Sequence, residues 1–145
     1  MQTLLPAADL EALVLRLTAV TRRDGLSRTA AATLSRLASS GPARLTDLAT
    51  AEEVSQPSMS SLVARLVDQG LVRRETDPDD ARAVRLSLTP AGEALVEERR
   101  TARTQRLDAA LAELPDDDVA LIAGALPALT RLADALRRSP KEVSR

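Results

Sequence analysis

A chain of 145 residues with 20 basic and 21 acidic side chains carries a formal net charge of −1, so bulk charge marks it as neither a nucleic-acid nor a membrane-surface binder. It contains no Cys and no His, which removes disulfides, thiol nucleophiles, Ser–His pairs and the usual zinc ligands; no catalytic site, metal site or cofactor is expected. The length fits one domain over 1–145 and the 44% hydrophobic fraction suffices for a core, which without Phe, Tyr or Trp must be built of Leu, Val and Ala. No apolar run approaches a membrane span and no basic-then-apolar signal opens the chain, so a cytoplasmic protein without a membrane partner is expected.

Leu10, Leu13, Val14, Leu17 and Val20 recur at helical spacing and predict a first helix over 7–23, ended by Gly25. Ser27 can cap a second helix, 28–39, with Ala31, Leu34 and Leu37 inward, and Gly41-Pro42 stops it. Residues 22–46 hold five arginines against Asp24, a net +4. Among them Arg28 and Arg44 either reach phosphates or are ordinary solvated arginines.

Residues 45–52 read as a short helix capped near Thr46, with Leu45, Leu48 and Ala49 inward. Ser55 then caps a second helix ending before Gly70, with Pro57 in the first turn, where its missing N–H costs nothing. Val54 and Met59 stand at the staple positions of that helix. At 100° per residue Met59, Leu62, Val63 and Leu66 share one side, while Pro57, Ser60, Ser61, Ala64 and Arg65 lie opposite. An outer face that is small and rich in hydroxyls suits a nucleic-acid groove; alternatively it is a solvated surface. Short helix, tight connection and second helix form the helix-turn-helix pattern.

After Gly70, residues 71–76 read as a strand, Asp77-Pro78-Asp79-Asp80 as a turn, and residues 83–89 as a second strand. In the second strand Val84, Leu86 and Leu88 point one way, Arg85 and Ser87 the other. A hairpin directly after the second helix makes a winged helix-turn-helix over about 26–89. The fold class is therefore mainly α with a small β-hairpin wing.

Thr89-Pro90 opens a long helix to about Leu114, whose middle carries Arg99, Arg100, Arg103 and Arg106 and reads as an exposed connector. Asp116-Asp117-Asp118 opens the last helix. Consecutive helical carboxylates diverge by 100° and do not converge on a metal; they suit the helix N-terminal dipole instead. Val119, Ile122, Leu126, Leu129, Ala133 and Leu136 follow the 3-4-3-4-3 spacing of a packed helical pair, with Pro127 expected to kink the helix or remove a bond. Residues 139–145 are expected to fray. The flanking helices, about 7–23 and 90–138, expose more apolar surface than a small winged helix needs. They form either a symmetric dimer through Leu10, Leu13, Leu17, Ile122, Leu126, Leu129 and Leu136, or an intramolecular bundle.

The run Gly70-Leu71-Val72-Arg73-Arg74-Glu75, the wing segment Asp77-Pro78-Asp79-Asp80-Ala81-Arg82-Ala83-Val84 and the exit Leu88-Thr89-Pro90-Ala91-Gly92 closely resemble the MarR family of bacterial transcriptional regulators. The Asp-x-Arg of that family's wing is matched by Asp80-Ala81-Arg82. Ala81 departs from it, since a basic residue is common there. The resemblance implies a homodimer on double-stranded DNA, formed through the terminal helices, and a small-molecule effector bound where the DNA-binding lobe meets them. The family's ligand is often an aromatic acid; this chain supplies no aromatic side chain to stack on one.

On this reading the DNA-binding residues are Arg44 and Thr46 before the reading helix, Gln56, Pro57, Ser58, Ser60, Ser61 and Arg65 on it, and Asp80 with Arg82 on the wing. Gln56 pairs bidentately with adenine, and Ser60 and Ser61 contact base edges or phosphate. Arg82 suits a narrow minor groove, and Asp80 either orients it by a salt bridge or merely forms the turn. The function expected is a homodimeric, sequence-specific regulator, a repressor, on a pseudo-palindromic operator. The alternative is a winged-helix module that binds protein and not DNA. An enzyme would have to rest on turn carboxylates beside Arg82.

Overall fold

A computed structural model describes residues 7–20 and 25–138. Residues 21–24, which include the expected end of the first helix, and 139–145, the expected frayed tail, lie outside the described residues. In chain order the elements are α1 Ala7–Val20, α2 Arg28–Ser40, β1 Ala43–Arg44, α3 Leu45–Ala51, α4 Gln56–Asp68, β2 Val72–Thr76, β3 Val84–Leu88, α5 Pro90–Ala112 and α6 Asp116–Arg138. The chain divides into two compact units, with the boundary between Arg103 and Thr104 inside α5.

The first unit holds the core. Leu34 and Leu37 of α2, Leu48 of α3, Met59, Leu62, Val63 and Leu66 of α4, and Val72, Leu86 and Leu88 of the sheet pack together, with Leu95 and Val96 of α5 half-buried against them. The predicted apolar face of α4 is thus the buried one. In α2 the inward positions are Ala30, Thr33, Leu34 and Leu37, and the expected Ala31 is only half-buried. Ser27 caps this helix as expected, accepting from the Ala30 N–H at 3.2 Å. Thr33, which apolar periodicity does not mark, is fully buried.

The sheet has three antiparallel strands in the order β1-β3-β2, not the two of a bare hairpin. Ala43 pairs with Leu86 and Arg44 with Arg85, while β2 pairs along β3 from Val72↔Leu88 to Thr76↔Val84. Two residues are too few to show strand periodicity, so β1 was invisible in the sequence. Its presence moves the start of α3. Arg44 is held extended at φ −76°, ψ 151° as the N-cap, without a side-chain cap bond, so Thr46 lies inside the first turn and does not cap. Strand β3 also departs from simple alternation. Val84, expected inward, is 50% exposed because it lies at the wing end of the strand, beyond the core. Ser87, expected outward, is buried, because the Arg73 side chain opposite it covers the small residue and donates Nε–H to its hydroxyl at 3.1 Å.

The corner from wing to α5 is tight. The Thr89 N–H donates to the Leu71 carbonyl at 3.1 Å, its hydroxyl donates to the Gly70 carbonyl, and its oxygen accepts from the Gly92 N–H at 3.1 Å, the expected cap. A Cβ at Gly92 would collide with the Leu71 carbonyl oxygen. Gly92→Ala should therefore lower stability by about 1–3 kcal/mol, the usual cost of overpacking. A urea melt that superimposes on the wild type would show that this corner opens freely.

In the second unit α6 runs unbroken through Pro127, although that residue donates no backbone hydrogen bond. Leu121, Leu126 and Leu136 are 72%, 55% and 69% exposed. Helix α6 over Asp116–Leu136 is, on length and composition alone, long and apolar enough to cross a membrane. That corrects the expectation of no stretch approaching a span. The reason is that alanines keep the average high across Gly124, Pro127 and Thr130, where no unbroken apolar run exists. Arg99 and Arg103 of the expected exposed connector are half-buried. Helix α5 ends at Ala112, two residues early, and closes with i→i−3 bonds from Glu113 to Ala110 and Leu114 to Leu111.

Candidate nucleic-acid interface

Helices α3 and α4 are joined by residues 52–55. The connection turns at Glu53, which adopts φ +56°, the left-handed conformation that usually falls to glycine at a helix end. Ser55 begins α4 by accepting from the Ser58 N–H at 3.3 Å, and its own hydroxyl donates to Ser58 Oγ at 2.8 Å. Gly70, at φ +71°, ends the helix and turns the chain into β2.

Gln56, Pro57, Ser58, Ser60, Ser61 and Arg65 are all exposed, as predicted. Counting 100° per residue, Pro57, Ser61 and Ala64 occupy the middle of the outer face, with Ser60 and Gln56 on one flank and Arg65 on the other. Gln56 stands in the first turn, where the N-terminal residues of a groove-seated helix meet base edges. Arg65 lies about 13 Å further along the axis. No large apolar side chain interrupts this face, so the helix can press its backbone toward a groove.

Thr46 is exposed in the first turn of α3, where its carbonyl accepts from the Thr50 hydroxyl at 3.0 Å. On the wing, Asp80 Oδ1 accepts from the Arg82 backbone N–H at 3.0 Å. Asp80 is therefore the turn former and not the ion-pair partner of Arg82. The loop closes with Asp77 N–H to the Ala83 carbonyl and Ala83 N–H to the Asp80 carbonyl, both 2.9 Å. Among the described residues nothing pairs with the Arg82 guanidinium, which is exposed at the wing end of the unit.

The sequence marks Asp77 only as a turn residue. Its carboxylate is 4% exposed, accepts from the Asp79 N–H at 2.9 Å and binds Arg44 Nε at 2.8 Å. The Asp79 N–H, and then the Arg44 guanidinium, hold this carboxyl below its ordinary value of 3.8; Asp77 in turn holds Arg44 more firmly protonated. A lowered folded value means the pair's contribution to stability is complete above the ordinary carboxylate range and disappears as pH falls through the lowered value. The available signal was the Asx-turn pattern of Asp77-Pro78-Asp79, which names the turn and not the distant arginine.

The sequence profile of the MarR family matches residues 26–84, from the entrance of α2 into β3. An HTH-type transcriptional regulator of Mycobacterium leprae is 33% identical over 132 residues, covering 88% of this chain and 92% of the relative. The chain belongs to the MarR family. A transcriptional regulator of Pseudomonas aeruginosa superimposes with TM-score 0.78 at 28% identity, over 88% of this chain and 94% of that one. A transcriptional regulator of Thermotoga maritima shares the fold, with TM-score 0.78 at 22% identity over 92% and 97% of the two chains. Like its relatives, this MarR-family protein is a DNA-binding transcriptional regulator and not an enzyme. Its winged helix-turn-helix is assembled by α3, α4 and the wing.

Proposed function

We propose that the protein is a cytoplasmic homodimeric repressor whose two α4 helices and two wings read a pseudo-palindromic operator. The observation that carries this is the outer face of α4: hydroxyls, Gln56 and Arg65 exposed, large apolar groups absent. A protein-docking winged helix would instead show apolar residues there. Two such helices related by two-fold symmetry enter successive major grooves about 34–36 Å apart. A dimer seated across a promoter excludes polymerase, which is the sense of repression.

The second copy is proposed to cover α6 and α1. Leu13 and Leu17 of α1 and Ile122, Leu126, Leu129 and Leu136 of α6 are exposed in the single chain, with Leu10 half-buried. Arg131 and Asp134 share α6 with that seam, which favours a protein helix over lipid as its cover. We place a small-molecule effector in the depression of about 500 Å³ floored by Leu37, Leu88 and Val96 and rimmed by Arg73, Glu93 and Glu97. With no aromatic side chain in the molecule, it would be held by aliphatic packing and charge.

Genomic footprinting of the bound sites is the test. A repressor of this kind should protect a small set of inverted repeats in promoters, and deleting the protein should raise transcription of the genes downstream. Reads spread without a shared motif would favour the protein-binding alternative.

A further inference from the structure

Arg44 stands at the junction of β1 and α3, as the N-cap residue of the helix that supports α4. Asp77 opens the wing loop 33 residues later. Their 2.8 Å bond joins the helical body to the root of the wing, and the Asp77 carboxylate lies buried beneath it. The other Asp77 oxygen holds the Asp79 N–H, and the loop then continues to Asp80, whose carboxylate fixes the Arg82 N–H. A continuous series of bonds thus runs from the start of α3 to the backbone of the wing-tip arginine.

We propose that Arg44 and Asp77 are positioning residues for DNA binding: together they fix the wing root so that Arg82 meets DNA in register with α4. The inference rests on the reading of α4 and the wing as the DNA-binding surface. It assigns Arg44 to work through the wing, where the sequence suggested direct phosphate contact. Arg85, which donates to the Pro42 carbonyl at 2.9 Å, braces the same strand junction.

The two roles for Arg44 predict opposite signs for Asp77. Asp77→Asn removes a negative charge close to the DNA-binding face. If that charge only repelled phosphate, the variant would bind DNA more tightly. If Asp77 positions the wing, binding weakens. Anisotropy titrations of a labelled duplex carrying the footprinted operator, between 50 and 200 mM salt, should show Asp77→Asn, Arg44→Ala and the double variant each weaker by a similar factor of about ten. That non-additivity is the mark of one shared interaction. Adding Arg82→Ala to Asp77→Asn should cost less than twofold further, because the wing arginine has already lost its place. The salt slope should fall by the same increment as in Arg82→Ala alone.

A merely structural role moves the melting temperature without this epistasis, so thermal melts accompany the titrations. If Asp77→Asn is too unstable to assay, Arg44→Gln, an exchange at a half-exposed side chain, carries the epistasis arm: adding Arg82→Ala to it should cost less than twofold further, and a full additional loss overturns the proposal. Asp77→Asn at or above wild-type affinity, or additive losses in the double variant, overturns the proposal while Arg82→Ala remains impaired. If Gln56→Ala and Arg82→Ala both bind like wild type, the DNA-binding reading itself has failed.

Discussion

Replacing Leu126 and Leu129 together with Asp should convert a micromolar dimer into 15.4 kDa monomers. Both side chains lie on the α6 seam and are 55% and 44% exposed in the single chain. Fully burying an exposed leucine contributes about 1.5–3 kcal/mol; these are about half exposed, so each gains roughly half of that, and two-fold symmetry puts four of them in one interface. Removing that gain and placing four carboxylates in an apolar seam exceeds the free energy that holds a typical micromolar complex, about 8 kcal/mol. Multi-angle light scattering reads the mass, and far-UV circular dichroism confirms that the helices persist. Operator affinity should collapse in parallel, because each half-site then binds without the effective concentration its partner supplies. A wild-type protein that scatters as a folded monomer, or an intact dimer in the double variant, would defeat the assembly.

The elements that were legible in the sequence are those whose signals repeat over several turns. Helix α4 announces itself by Ser55, Pro57, Gly70 and four apolar residues in phase, and all of them keep their expected roles. What was hidden depends on partners far away in sequence. Strand β1 is two residues long and exists because β3 lies beside it. The displaced start of α3 follows from that strand. Asp77 looks like one turn-forming aspartate among three, and only the fold brings Arg44 to it. The same separation explains Val84 and Ser87. Alternation fixes which way a side chain leaves the strand, but whether anything covers it there depends on where the sheet ends and which neighbour reaches over. On the DNA-binding face, exposure was readable from helical phase, whereas the Asp80 carboxylate had two open roles until its bond to the Arg82 N–H was located.

Gln56→Ala and Arg82→Ala should fail in different ways. Gln56 is exposed in the first turn of α4, where an amide can make a bidentate pair with adenine. Its loss should cost about 1–3 kcal/mol per half-site on the best operator and relax preference at one base pair in each half-site. On a duplex already mutated at that pair the variant should match the wild type. Arg82 presents a free guanidinium at the wing, suited to the electronegative minor groove and its flanking phosphates. Those features depend less on sequence, so Arg82→Ala should weaken binding to operator and single-base variants by a similar factor. It should also lower the slope of log affinity against log salt by about one for each wing. Titrations on the operator and its single-base variants at several salt concentrations separate the two patterns. An unchanged affinity and salt slope for Arg82→Ala would remove the wing from the interface. A Gln56→Ala variant that also binds like the wild type would show that the reading helix is misassigned and would move the protein-binding alternative ahead.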